Sequence, residues 1–109
     1  RTICSLKGSA RGMAVLGDML ELGREEGRAH EELGRLVASL DIEFVVAIGK
    51  NARKVRSGAL SRGMCKESFR IARSHQEAAR IVRGFLRRGD WVLVKGSRGM
   101  HMEKVVEGI

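Results

Sequence analysis

Three stretches of this 109-residue chain are apolar at every position, not at every second one. They are Met13-Ala14-Val15-Leu16 before Gly17-Asp18, Phe44-Val45-Val46-Ala47-Ile48 before Gly49, and Trp91-Val92-Leu93-Val94 before Lys95-Gly96. Runs this short bounded by turn residues read as strands. Continuous hydrophobicity implies burial on both faces, as in a parallel sheet covered by helices on two sides. Ser68-Phe69-Arg70-Ile71-Ala72 reads as a further short strand, third in chain order.

The segments between the strands carry helical spacing. From about Glu25 to Leu40, Ala29, Leu33, Leu36, Val37 and Leu40 share one face, and Glu25 and Glu26 suit the positive amino end of a helix. His30 lies beside that face and reads as a packing or capping residue. Asn51 to about Leu60 is a weaker helix, with Ala52, Val55 and Ala59 inward, Arg53, Lys54 and Arg56 outward, and a costly Gly58. Ser74-His75-Gln76-Glu77 is a capping box opening a helix with Ala78, Val82, Phe85 and Leu86 inside and Gly89 as its stop. Met102, Val105, Val106 and Ile109 form the inner stripe of a last helix. Residues 1–11 read as an irregular lead-in and Met19–Gly23 as a connecting loop.

Strand and helix alternate four times. The expectation is an α/β fold: a three-layer sandwich with a mainly parallel, Rossmann-like sheet and helices on both faces. With right-handed crossovers and a fourth strand returning beside the first, the order is 3-2-1-4, and the switch point falls between strands one and four. Gly17-Asp18-Met19 and Lys95-Gly96-Ser97-Arg98 would then face one crevice, one loop acidic and the other basic.

The length bounds the chain to a single domain over residues 1–109. No apolar run approaches the roughly 18 residues of a membrane span, and no signal peptide is visible. Cys4 and Cys65 lie far apart and read as free thiols of a reducing cytoplasm. His30, His75 and His101 share no ligand spacing, so no metal site is expected. Charge is lopsided: residues 1–49 hold 6 Lys and Arg against 8 Asp and Glu, and residues 50–109 hold 15 against 5, net −2 and +10. A basic half suggests an anionic partner such as a phosphate-bearing substrate or nucleic acid. There is no G-x-x-x-x-G-K-[ST], no G-x-G-x-x-G after the first strand, and no nucleophile–base set at recognisable positions. These features fit a binding lobe without its own catalytic machinery. Gly96-Ser97-Arg98-Gly99 also fits the G-x-x-G loop by which KH modules clamp RNA. That keeps a small basic RNA-binding module as the alternative, although in KH modules this loop joins two helices.

Two strings settle the preference. Ala14-Val15-Leu16-Gly17-Asp18-Met19-Leu20-Glu21-Leu22-Gly23, with His30 and Leu33-Gly34 downstream, resembles the start of the C-terminal domain of a Mur ligase. Val92-Leu93-Val94-Lys95-Gly96-Ser97-Arg98, with Met102-Glu103-Lys104-Val105-Val106, resembles the end of the same domain. The branch resembled is the one that adds D-alanyl-D-alanine to UDP-N-acetylmuramoyl-tripeptide, and the likeness runs from about Met13 onward. It implies an ATP-dependent, ADP-forming amide ligase of peptidoglycan precursor synthesis working through an acyl phosphate. ATP and Mg²⁺ would be bound mainly by the central and N-terminal domains of the same chain, with no nucleic-acid and no membrane partner.

The family's asparagine-proline linker and the helix after it are missing from this sequence. With no Pro and an Arg at position 1, the chain is expected to be a fragment, inactive alone. On the resemblance, Arg98 and Lys95 would hold the carboxylate of D-alanyl-D-alanine, since a fork of cationic donors suits a carboxylate. Gly96 and Ser97 would supply a backbone N–H and a hydroxyl. Asp18 would orient the amine or a cationic partner across the crevice. Loop-shaping alternatives stand beside these: Asp18 capping a turn, and Arg98 pairing with Glu103 or Asp18.

Overall fold

The computed structural model describes residues 12–19, 23–40 and 42–109. The elements are β1 (Gly12–Leu16), α1 (Glu26–Ser39), β2 (Phe44–Ile48), α2 (Ala52–Ser61), β3 (Phe69–Ala72), α3 (His75–Phe85), β4 (Trp91–Lys95) and α4 (Glu103–Gly108). All pairings are parallel, and the sheet order is β3-β2-β1-β4, as expected. The lead-in at residues 1–11 and most of the connecting loop lie outside the described residues.

The sheet divides two cores. Met13, Val15, Phe44, Val46 and Ile48 face α3 and α4, meeting Ala78, Ala79, Val82, Met102 and Val105. Ala14, Leu16, Val45 and Ala47 face α1 and α2, meeting Val37, Ala52, Val55 and Ala59. Neighbouring strand residues belong to opposite cores, and β1 and β2 are buried at every position. Doubly covered strands therefore lose the polar/apolar alternation of a half-exposed sheet.

Four expectations of burial are corrected. β4 is not a buried strand: Trp91 and Leu93 are 49% and 45% exposed. As an edge strand it is covered, among the described residues, only by the α3/α4 layer, where Val92 and Val94 pack. Gly12 lies directly under the Trp91 ring, which occupies the space a side chain there would need. In α1, Leu36 and Leu40 point outward, and the buried line runs through His30, Gly34 and Val37. That line is displaced because α1 meets α2 across glycines. A Cβ on Gly34 would come within 1.9 Å of the Val55 carbonyl oxygen, and one on Gly58 within 1.9 Å of the Glu31 carbonyl oxygen. α3 ends at Phe85, before Gly89, leaving Leu86 exposed; the following residues form a turn in which the Arg87 N–H donates to Asp90. α4 is too short to bury a full stripe, so Met102 and Val105 are inside while Val106 is 55% exposed.

The Ser74 cap of α3 forms as expected, the Glu77 N–H donating to its hydroxyl, while the Glu77 carboxylate accepts from the Arg73 N–H, one residue before the N-cap donor of a full capping box. Cys65 is disulfide-bonded and not a free thiol; Cys4 lies outside the described residues. Among the described residues no helix is long and apolar enough to cross a membrane.

Candidate functional site

The parallel register brings the carboxyl ends of β1 and β4 side by side, Leu16 opposite Lys95. Two backbone bonds join the loops that follow. The Gly17 N–H donates to the Lys95 carbonyl at 2.7 Å, and the Ser97 N–H donates to the Asp18 carbonyl at 3.0 Å. Both glycines of this seam stand close to their neighbours, Gly96 against backbone and Gly17 against the end of the Met102 side chain. A Cβ on Gly96 would stand 3.2 Å from the Gly17 Cα and 2.8 Å from the Met102 Cγ, and a Cβ on Gly17 would stand 2.7 Å from the Met102 sulfur. The two loops therefore meet at one closely built seam.

The Asp18 side chain is 4% exposed and turned toward the β2–α2 loop. Its Oδ2 accepts from the Lys50 N–H at 3.0 Å and its Oδ1 from the Asn51 N–H at 2.9 Å. Those amides stand just before the first turn of α2, where a carboxylate also meets the positive end of the helix dipole. Gly49, at φ +115°, allows the approach, because a Cβ there would lie 2.6 Å from the carboxyl group. Both Asp18 oxygens are thus engaged by backbone.

The same loop continues into residues that no motif singled out. The Asn51 side-chain amide donates to Glu26 Oε2 at 2.7 Å, and Lys50 Nζ lies 3.2 Å from the same oxygen. Hydrogen bonds from Asn51 and then Lys50 hold the Glu26 carboxyl below the ordinary carboxylate value. The Glu26 carbonyl accepts from His30 Nδ1 at 2.6 Å, and His30 Nε2 accepts from the Met19 N–H at 2.9 Å. With a donor at Nδ1 and an acceptor at Nε2, the fully buried His30 ring is satisfied as a structural tie. Glu26, Lys50 and Asn51 were legible only as a glycine-lysine-asparagine step before a helix and a first-turn acid. Asp18, the partner that gives Asn51 its meaning, lies 33 residues away.

Glu26 makes a testable contribution to acid stability. A carboxylate whose folded pKa lies below its unfolded one stabilises the fold above the unfolded value, and that stabilisation is lost as pH falls through the folded value. The melting temperature of Glu26→Gln should therefore fall below that of the parent chain above about pH 4.5. The gap should close on further acidification. A gap independent of pH would show that the carboxylate's charge is not what the network uses.

The basic side is open. Lys95 and Arg98 are both exposed, and neither is paired with a carboxylate among the described residues. Glu103 lies 3.5 Å from His101, and Asp18 is committed to α2, so neither takes Arg98. Ser97 has its N–H committed to Asp18, and Gly96 is half-buried under Met102. Arg98 opens a single 3-10 turn, Arg98–Met100, after a strand and not after a helix, unlike the G-x-x-G of KH modules. The site is a rigid backbone seam carrying two solvent-facing cations, suited to receiving an anion such as a carboxylate.

Comparison with known proteins decides the family. The family description "Mur ligase, glutamate ligase domain" matches residues 1–98. The UDP-N-acetylmuramoyl-tripeptide–D-alanyl-D-alanine ligase of Bacillus subtilis is 34% identical over 96% of this chain. This chain belongs to the Mur ligase family. The ligase of the same name from Mycobacterium leprae is 33% identical over 83% of it. Among solved structures, MurF from Acinetobacter baumannii matches with a TM-score of 0.75 at 27% identity, and the Thermotoga maritima MurF ligase in complex with ADP with 0.72 at 27%; each covers 91% of the chain. The chain spans 23% of the length of the Bacillus relative and 22% of the Acinetobacter one. It corresponds to the C-terminal domain of these Mur ligases.

Proposed function

We propose that this chain is the C-terminal domain of a longer cytoplasmic ligase that uses ATP to join D-alanyl-D-alanine to UDP-N-acetylmuramoyl-tripeptide. The observation that carries this reading is the paired β1 and β4 loop seam with its two exposed cations, in a chain whose relatives bear that ligase's name. In the proposed reaction a carboxylate oxygen of the tripeptide takes the terminal phosphoryl group of ATP, releasing ADP. The dipeptide amine attacks the resulting acyl carbon and phosphate leaves, forming the amide.

This domain's part is to receive the acceptor. Arg98 and Lys95 bind the dipeptide carboxylate, and holding that end fixes where the amine points. Gly96 lets the backbone approach, and Ser97 adds a hydroxyl beside the cations. Asp18 serves the amine indirectly: it ties the β1 loop to the start of α2 and so keeps the crevice at one width. Among the described residues no three histidines, cysteines or carboxylates gather as a metal set, and both oxygens of Asp18 are taken. On the family resemblance, ATP and Mg²⁺ are held mainly by the other domains of the ligase.

Arg98→Ala in the full-length enzyme tests the reading. The KM for D-alanyl-D-alanine should rise about tenfold, the loss of one charged hydrogen-bonding partner, with the KM for the UDP-linked tripeptide unchanged. An unchanged dipeptide KM in a folded variant would remove Arg98 from the acceptor site.

A further inference from the structure

The turn that presents Arg98 is held at both ends by other parts of the fold. At its start, the Ser97 N–H is bonded to the Asp18 carbonyl. At its end, the Met100 carbonyl accepts a hydrogen bond from Nε2 of His75 at 2.6 Å. Because the partner is a carbonyl, His75 must donate here, so the ring carries its proton at Nε2. His75 is the first residue of α3 and half-buried, and the Ser74 hydroxyl that caps the helix fixes its backbone. A three-residue 3-10 turn has little stability of its own. This one also runs directly into His101, which adopts the left-handed φ of +51°.

We propose that His75 is a positioning residue for the acceptor carboxylate: by holding the Met100 carbonyl it fixes the Arg98–Met100 turn and so the place from which Arg98 donates. The inference rests on reading Arg98 as the carboxylate's partner. Three strand ends then cooperate at one site, β1 through Asp18, β4 through the turn itself, and the β3–α3 junction through His75. A fork of donors binds a carboxylate well only when both atoms of the pair are in register, so a loosened turn weakens binding without removing any charge.

The experiment uses the full-length enzyme, with KM measured separately for D-alanyl-D-alanine and for UDP-N-acetylmuramoyl-tripeptide, and the melting temperature followed for each variant. His75→Phe keeps a ring and removes the donor, whereas His75→Gln keeps an N–H at about the reach of Nε2. The expected result is a dipeptide KM raised about five-fold in His75→Phe, close to the parent value in His75→Gln, with the tripeptide KM and the melting temperature unmoved. In the double variant with Arg98→Ala, His75→Phe should add nothing, since its effect passes through Arg98. Full additivity, an unchanged dipeptide KM, or both KM values rising together as the melting temperature falls would each overturn the proposal. If Arg98→Ala alone leaves the dipeptide KM unchanged, the reading of Arg98 fails and this proposal fails with it. If Arg98→Ala acts and His75→Phe does not, only the role of His75 is lost.

Discussion

Gly58→Ala and Gly34→Ala are each expected to destabilise the domain by about 3 kcal/mol or more, a large part of the roughly 5–15 kcal/mol that holds such a domain folded. In an exposed helix the same change would stabilise by about 1 kcal/mol, because alanine is the better helix former. Geometry reverses the sign here. The new methyl carbon would lie 1.9 Å from a carbonyl oxygen of the facing helix in both cases, and at Gly58 also 3.1 Å from the Arg35 nitrogen. Those neighbours are backbone, so no side chain can rotate away. α1 and α2 would have to move apart along their crossing, opening the core around Val37, Val55 and Ala59. Gly84 of α3 is the control: a methyl group added there would meet nothing within 4 Å, and Gly84→Ala should be neutral or stabilising. Urea denaturation of the three variants checks the pattern. Stabilisation at Gly34 or Gly58 would mean the helices do not cross this closely.

Asp18→Ala is the second large effect, expected at about 2–4 kcal/mol. Two backbone N–H groups just before α2 would lose their acceptor, Asn51 in a buried place and Lys50 in a partly buried one, each loss costing up to about 1–3 kcal/mol before water or local movement recovers part of it. Asp18→Asn should cost less than Asp18→Ala, since one oxygen remains to accept while the amide nitrogen faces a second donor. Denaturation gives the size, and amide hydrogen exchange gives the place: Lys50 and Asn51 should lose protection first. Equal protection in parent and variant would show that the Asp18 carboxylate does not hold the helix start. Because the Asp18 carbonyl also binds the Ser97 N–H, the proposed role of this seam in the full-length enzyme predicts that acceptor binding weakens alongside stability.

The residues that were readable in the sequence were those whose signal is local. Continuous apolar runs marked β1 and β2, the serine–glutamate pair marked the start of α3, and alternation with handed crossovers gave the sheet order. That order was enough to bring the Asp18 and Ser97 loops to one seam. Hydrophobicity at Leu36 and Leu40 does not mark the inner face, because α1 packs through Gly34, which has no side chain to reveal it. Trp91 and Leu93 misled because an apolar run looks the same at a sheet's edge as at its centre; only the number of covering helices tells them apart.

By itself, then, the amino-acid order determined the class of fold, the strand sequence across the sheet, the meeting of the β1 and β4 loops and the family resemblance. Each of these follows from periodicity, turn chemistry or short motifs, which act over a few residues. Tertiary structure alone decided how the site's groups are used. Asp18 answers to Lys50 and Asn51, Met100 to His75, and α1 to α2 through paired glycines. Such contacts join parts of the chain far apart in sequence, and they depend on close fits that only the packed sheet and helices set.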